Sequence, residues 1–163
     1  MLTKTTILAL RAVAHLSQQQ DGACWSPRRI AEQLEESPTY MAKALRHLVK
    51  AGILRAEKGV KGGVRLGQRP EEITLLALVE ACQGAIIGDF CVSNAPESSF
   101  CCFHRAALEL YDAIRGVLSR WSVADLLEKT HSHNGDDGEP CIMARGLDLP
   151  GMPLAGPAPV QLR

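Results

Sequence analysis

Cys91, Cys101 and Cys102 fall within twelve residues of one another. Thiolate sulfur binds iron, zinc and iron–sulfur clusters, and paired thiols form reversible disulfides. The grouping therefore reads as a metal or redox centre. Nine residues, 92–100, separate Cys91 from the adjacent pair. Neighbouring cysteines share one cluster only where the backbone turns sharply. Two alternatives stand beside the cluster: reduced, partly buried thiols acting as small hydrophobes, and a disulfide from Cys91 to Cys101 or Cys102 under oxidation.

The other cysteines carry less chemistry. Cys82 lies on an apolar helical face and reads as core. Cys24 sits in a turn beside Trp25 with no partner in sequence. His131, His133 and Cys141 could join acids as a zinc site, but spacing this loose in a flexible segment is usually accidental. His15 and His47 lie within helices and read as structural or solvated. The chain contains no glycine-rich phosphate loop, carboxylate pair or nucleophile–base motif, so an enzyme is not expected.

A second set of residues points to a polyanion. The 163-residue chain holds 18 Lys/Arg and 18 Asp/Glu, a formal net charge of zero. The total conceals a division. Residues 1–70 carry twelve cations against five acids, a balance of +7, and residues 71–163 carry −7. A basic half beside an acidic half suits binding of a polyanion at one end. No apolar run approaches the ~18 residues of a membrane span, and the start lacks a secretory signal. A cytoplasmic protein with reduced cysteines is expected.

The elements that must position these groups follow from periodicity and caps. Residues 3–19 read as a helix with Ile7, Leu10, Val13 and Ala14 on one face and Leu8 and Leu16 beside it. Asp21-Gly22 ends it as a turn. Ser26-Pro27 starts a short helix that buries Ile30 and Leu34, and Ser37-Pro38 starts a third that buries Met41, Leu45, Leu48 and Val49 and stops at Gly52. Residues 53–56 and 64–66 read as two short strands joined by the basic, glycine-rich Lys58–Gly63 loop. Thr74 caps a helix through Leu75, Leu78, Val79 and Cys82 to Gly84. A loop spans 84–100. A long helix runs from about Cys102 to Arg120 or Trp121, weakened at Gly116. Its residues Ala107, Leu110, Ile114, Val117 and Trp121 form a heptad-like seam. Ser122 caps a last short helix through Leu126 and Leu127.

This order makes a mainly α chain: a winged helix-turn-helix with a small two-stranded wing and a long dimerisation helix. Four parts are expected: a DNA-binding domain at 1–83, a cysteine-containing sensor loop at 84–104, a dimerisation helix and short final helix at 105–130, and a disordered tail at 131–163. A helix fits the major groove of double-stranded DNA, and residues at its N-terminal end reach base edges. Thr39 and Lys43 are placed to donate to bases, and Tyr40 and Arg46 to reach phosphate. Arg28 and Arg29 open the preceding helix and are candidate phosphate ligands. Lys58 and Lys61 on the wing tip suit the minor groove or phosphate.

These residues also resemble a known family. The run Ser37-Pro38-Thr39-Tyr40-Met41 with Leu45, Leu48 and Val49-Lys50-Ala51-Gly52-Ile53-Leu54 resembles the recognition helix of the Rrf2 family of bacterial transcription regulators. Lys58–Leu66 resembles its wing, and Leu2-Thr3 through Leu16 its first helix. The likeness covers about residues 1–129. It implies a homodimer paired through the long helix, in which many members bind an iron–sulfur cluster through three loop cysteines and others lack them. By that likeness Cys91, Cys101 and His104 are ligands, Cys101-Cys102-Phe103-His104 supplying a C-x-x-H step, with Cys102 a further candidate. The cluster is expected as 2Fe-2S, with 4Fe-4S as the other form. Family members space their three cysteines evenly. This chain has no middle cysteine, so one of the adjacent pair is redundant, the cluster type differs, or no cluster binds. The function implied is a dimeric DNA-binding regulator controlled by the cluster, or alternatively by a cluster-free thiol–disulfide switch.

Overall fold

Helix α1 (Lys4–Ser17) begins where the Thr3 hydroxyl accepts the Thr6 backbone N–H at 3.2 Å. This bond satisfies one of the amides that a helix start leaves without an intrahelical partner. In this computed structural model, which describes residues 2–19, 23–59, 62–86 and 101–129, α1 is the central element. Every side chain from Leu8 to Leu16 is buried. The turn expected at Asp21-Gly22 and the 131–163 tail lie outside the described residues.

Around α1 stand α2 (Pro27–Gln33), α3 (Pro38–Lys50), a hairpin of β1 (Leu54–Glu57) and β2 (Gly63–Leu66), then α4 (Leu75–Gln83), α5 (Cys102–Arg120) and α6 (Val123–Lys129). Ser26 caps α2, its hydroxyl accepting the Arg29 N–H at 3.2 Å, and Pro27 occupies the first turn. Ser37 takes the extended cap conformation at α3 but makes no side-chain cap bond; Pro38 alone pre-sets that first turn. Between α2 and α3 the chain reverses through Glu35 at φ 53°.

Arg11 holds this reversal. Its guanidinium donates to the Leu34 carbonyl at 2.9 Å and to the Glu36 carboxylate. In the charge count Arg11 is one of twelve cations for a polyanion; in the fold it is 6% exposed and structural.

At the end of α3, Gly52 adopts φ 74° and the Ile53 N–H returns to the Leu48 carbonyl at 3.0 Å. This left-handed cap suits glycine, which has no Cβ to crowd the carbonyl. The Ile53 backbone is thus engaged in the cap, and β1 starts one residue later than its apolar run suggests. β1 and β2 pair antiparallel with Arg55 opposite Arg65 and Ala56 opposite Val64. Trp25 adds an isolated bridge to Val64, with both N–H···O bonds at 2.9 Å. A Cβ at Gly63 would come within 2.4 Å of the Trp25 carbonyl oxygen, so glycine is required for this approach.

Thr74 caps α4 by accepting the Ala77 N–H at 3.1 Å. The starts of α4 and α6 are stitched together, Leu75 N–H to Trp121 carbonyl at 2.8 Å and Val123 N–H to Ile73 carbonyl at 2.9 Å. Ser122 and Asp125 form a reciprocal cap, Ser122 N–H to the carboxylate at 3.0 Å and Asp125 N–H to the hydroxyl at 3.1 Å. Val123 is therefore carried into the core that Ile30, Met41, Leu45, Leu48, Ile73 and Leu78 share with α1.

Helix α5 is different. Only His104 and Ala107 are buried along its 19 residues. Phe103, Leu110 and Val117, at successive intervals of seven, are 68%, 60% and 46% exposed. An ion pair from Arg115 to Glu80 at 3.1 Å ties α5 to α4. Beside it, Leu2, Val79, Ile86, Tyr111, Ile114 and Val117 line much of an apolar cavity of about 550 Å³.

Candidate nucleic-acid interface and cysteine site

The sequence of α3 divides it lengthwise. Met41, Ala44, Leu45 and Leu48 are buried, while Thr39, Tyr40, Lys43, Arg46 and Lys50 are exposed. Positions 39, 43, 46 and 50 recur at helical spacing, so hydroxyl and cationic groups share one solvent face. Tyr40 is 42% exposed at the N-terminal end, with its ring available to a partner. Lys50 extends this face by one turn; the same 3–4 spacing in the sequence identifies it. Lys58 is exposed just after β1, and Lys61 lies outside the described residues.

Arg28 and Arg29 are exposed in the first turn of α2, but neither is a bare cation. Arg28 donates to Glu32 at 2.9 Å in a pair whose side chains are 82% and 58% exposed. Water and salt screen such a pair, so phosphate can displace the glutamate at little cost. The Arg29 guanidinium lies over the Trp25 ring, 3.7 Å from its centroid. On the wing, Arg55 is exposed, while Arg65 is partly covered and bonds Glu57 at 2.6 Å.

Cys24 finds at the wing the partner its sequence neighbours do not show. Partial burial, then a hydrogen bond to the Glu57 carboxylate, pushes its thiol pKa up. The hydrogen bond from Arg65, followed by that from Cys24, holds the Glu57 carboxyl below its usual range. Glu57 in turn raises the Arg65 pKa. His15 is buried and meets Trp25 edge to face at 4.9 Å; His47 is half-buried.

The cysteine site is built at the start of α5. Cys101 is its cap, with Sγ accepting the His104 backbone N–H at 3.4 Å. Cys101 and Cys102 are exposed, whereas His104 is buried. Cys91 lies outside the described residues. Among the described residues, no three His, Cys, Asp or Glu side chains converge as a metal-holding group. Cys82 is half-buried in α4 and packs against the core. Burial pushes its thiol pKa up to about 11, which leaves it a poor nucleophile. No helix among the described residues is long and apolar enough to cross a membrane.

Comparison with known proteins identifies the scaffold. The model of the Rrf2 family, described as an iron-dependent transcriptional regulator, matches residues 2–129. The NsrR transcriptional regulator of Geobacillus kaustophilus is 30% identical over 135 residues, covering 78% of this chain and 89% of that protein. The NsrR repressor of Streptomyces coelicolor is 30% identical over 129 residues, covering 77% and 87%. A regulator from Synechocystis, slr0846, is 33% identical over 85 residues, 52% of this chain and 58% of that protein. Among solved structures, CymR of B. subtilis superposes with a TM-score of 0.62 at 21% identity, covering 77% of this chain and 95% of that one. IscR of T. potens gives 0.63 at 19% identity, covering 84% and 94%. These relatives are transcription regulators rather than enzymes. With its helix-turn-helix, its two-stranded wing and the match over residues 2–129, the chain belongs to the Rrf2 family of DNA-binding transcription regulators.

Proposed function

We propose that this regulator binds double-stranded DNA as a homodimer and that the chemical state of its cysteine segment sets its DNA affinity. The exposed α3 face carries the DNA half of this reading. Thr39 and Lys43 donate to base edges, Tyr40 and Arg46 reach phosphate, Arg28 and Arg29 grip the backbone, and Lys58 with Lys61 serve the wing. A second copy covers the apolar line Phe103, Leu110 and Val117 on α5, whose exposure on a monomer would be unfavourable. A cytoplasmic setting suits both roles.

For the cysteine segment, the reading is an iron–sulfur cluster held by Cys91, Cys101 and Cys102, with His104 as the further candidate ligand. The accessibility of two adjacent thiols supports it, as does the iron-dependent character of the family. The thiols are reachable without moving α5, and the buried imidazole is not. Once bound, a cluster supplies a centre that oxygen, nitric oxide or iron supply can alter. Protein purified without air is expected to hold iron and acid-labile sulfide, which Cys91→Ala removes. Absence of both from the wild-type protein overturns the cluster.

The same exposed thiols favour a second reading, a metal-free switch in which Cys91 forms a disulfide with Cys101 or Cys102. It predicts diamide-sensitive DNA binding in metal-free protein. Mass spectrometry that finds all three thiols free after oxidation excludes it.

A further inference from the structure

We infer that Trp25 is a positioning residue for DNA binding, fixing the Arg29 guanidinium at the junction of α2 and the wing. The inference rests on the α2–α3 face being the DNA surface. Three observations carry it. Trp25 cannot drift relative to the wing, because its N–H and carbonyl both bond Val64 at 2.9 Å and Gly63 leaves no Cβ between them. Trp25 is 7% exposed, and its ring is braced by His15, edge on at 4.9 Å. Arg29, exposed in the first turn of α2, lies against that ring at 3.7 Å.

The consequence lies in the shape of the guanidinium. It is planar, and its five N–H bonds point outward in that plane. An aromatic ring under one face restrains the group while leaving its edge free to donate to phosphate. The rotamer freedom of a long side chain is then already lost before DNA arrives. A lysine ammonium keeps the charge but has no plane to stack. The wing and α2 are thereby joined through one residue, Trp25, whose backbone bonds Val64 and whose indole carries Arg29, so a shift of the wing moves the Arg29 fork with it.

The test measures affinity for a duplex recovered from genomic DNA by the wild-type protein, across a range of salt. Arg29→Lys is expected to weaken binding about two- to fivefold, the strength of an exposed cation–π contact, with the salt slope unchanged. Arg29→Ala weakens it further and reduces the slope by ~0.9, one phosphate's worth of released counterion. Trp25→Leu, checked for folding by circular dichroism, matches Arg29→Lys and adds little to Arg29→Ala; Trp25→Phe restores most of the loss. A merely structural tryptophan would instead give a loss that adds in full to that of Arg29→Ala. In a Trp121→Phe background Trp25 is the sole tryptophan of the two in the chain, and its emission shifts when Arg29 becomes alanine. Full additivity, wild-type affinity in both Arg29→Lys and Trp25→Leu, or unchanged emission overturns the inference. If Arg29→Ala has no effect while Lys43→Ala weakens binding, the inference fails and the α3 interface stands. If neither variant changes affinity, the interface itself fails.

Discussion

Replacing Arg11 with alanine tests whether one buried cation holds the turn between α2 and α3. The Arg11 side chain is 7% exposed and its partner Glu36 is 37% exposed. In Arg11→Ala the Leu34 carbonyl loses its donor at 2.9 Å. A buried group left without its partner costs about 1–3 kcal/mol. Removing one member of a fully buried ion pair costs about 3–5 kcal/mol. Glu36 is partly wet, so water recovers much of its share. A lost carbonyl bond plus a partly rehydrated carboxylate gives ~2–4 kcal/mol for the substitution. Arg28→Ala is the control, because its pair with Glu32 is open to solvent on both sides and is worth under about 0.5 kcal/mol. Urea unfolding at fixed protein concentration measures both. Fixed concentration matters because the apparent stability of the proposed homodimer would depend on concentration by mass action. A loss below ~1 kcal/mol for Arg11→Ala would refute the structural role assigned to it. So would a loss equal to that of Arg28→Ala.

Four further outcomes follow from local geometry. Glu35→Gly should stabilise the fold by about 0.5–1 kcal/mol in thermal unfolding, because relief of the left-handed backbone at φ 53° exceeds the added entropy of the unfolded chain. An alkylating reagent at neutral pH should label the exposed Cys101 and Cys102 before the half-buried Cys82, read by mass spectrometry; as pH rises from 9.0 to about 11 the native state should lose stability, because the unfolded thiol ionises first. The Glu57 pKa is lowered in the fold, so the Arg65–Glu57 contribution is intact above the ordinary glutamate value and lost as pH falls through the depressed one. Wing amides should therefore exchange faster in that acidic window, and Glu57→Gln should abolish the pH dependence.

Much of the scaffold is readable because its signals are local. Thr3, Ser26 and Thr74 each bond an amide three residues ahead, so a hydroxyl before an apolar periodic run marks the helix start. Gly52 stops α3 through its own backbone conformation, which composition reveals. What the sequence hides is long-range. Trp25 reaches Val64 through a single-residue bridge, too short to leave a period-2 pattern. The burial of Arg11 depends on where α2 turns, and nothing in its neighbours separates it from a DNA-facing cation. Cys24 has no partner near it in sequence because Glu57 and Arg65 arrive from the wing. At the cysteine site the spacing announces reactive thiols. The burial of His104 beside two exposed cysteines is a property of how α5 packs.

Control of DNA affinity by the cysteine segment is read directly in one titration. Protein purified without air is titrated with a duplex recovered from genomic DNA, before and after exposure to oxygen, alongside the Cys101→Ala/Cys102→Ala variant. Wild-type affinity is expected to change with exposure, and the variant's is expected to stay constant. Identical wild-type affinity in the two states, or a variant that responds as the wild type does, would contradict it.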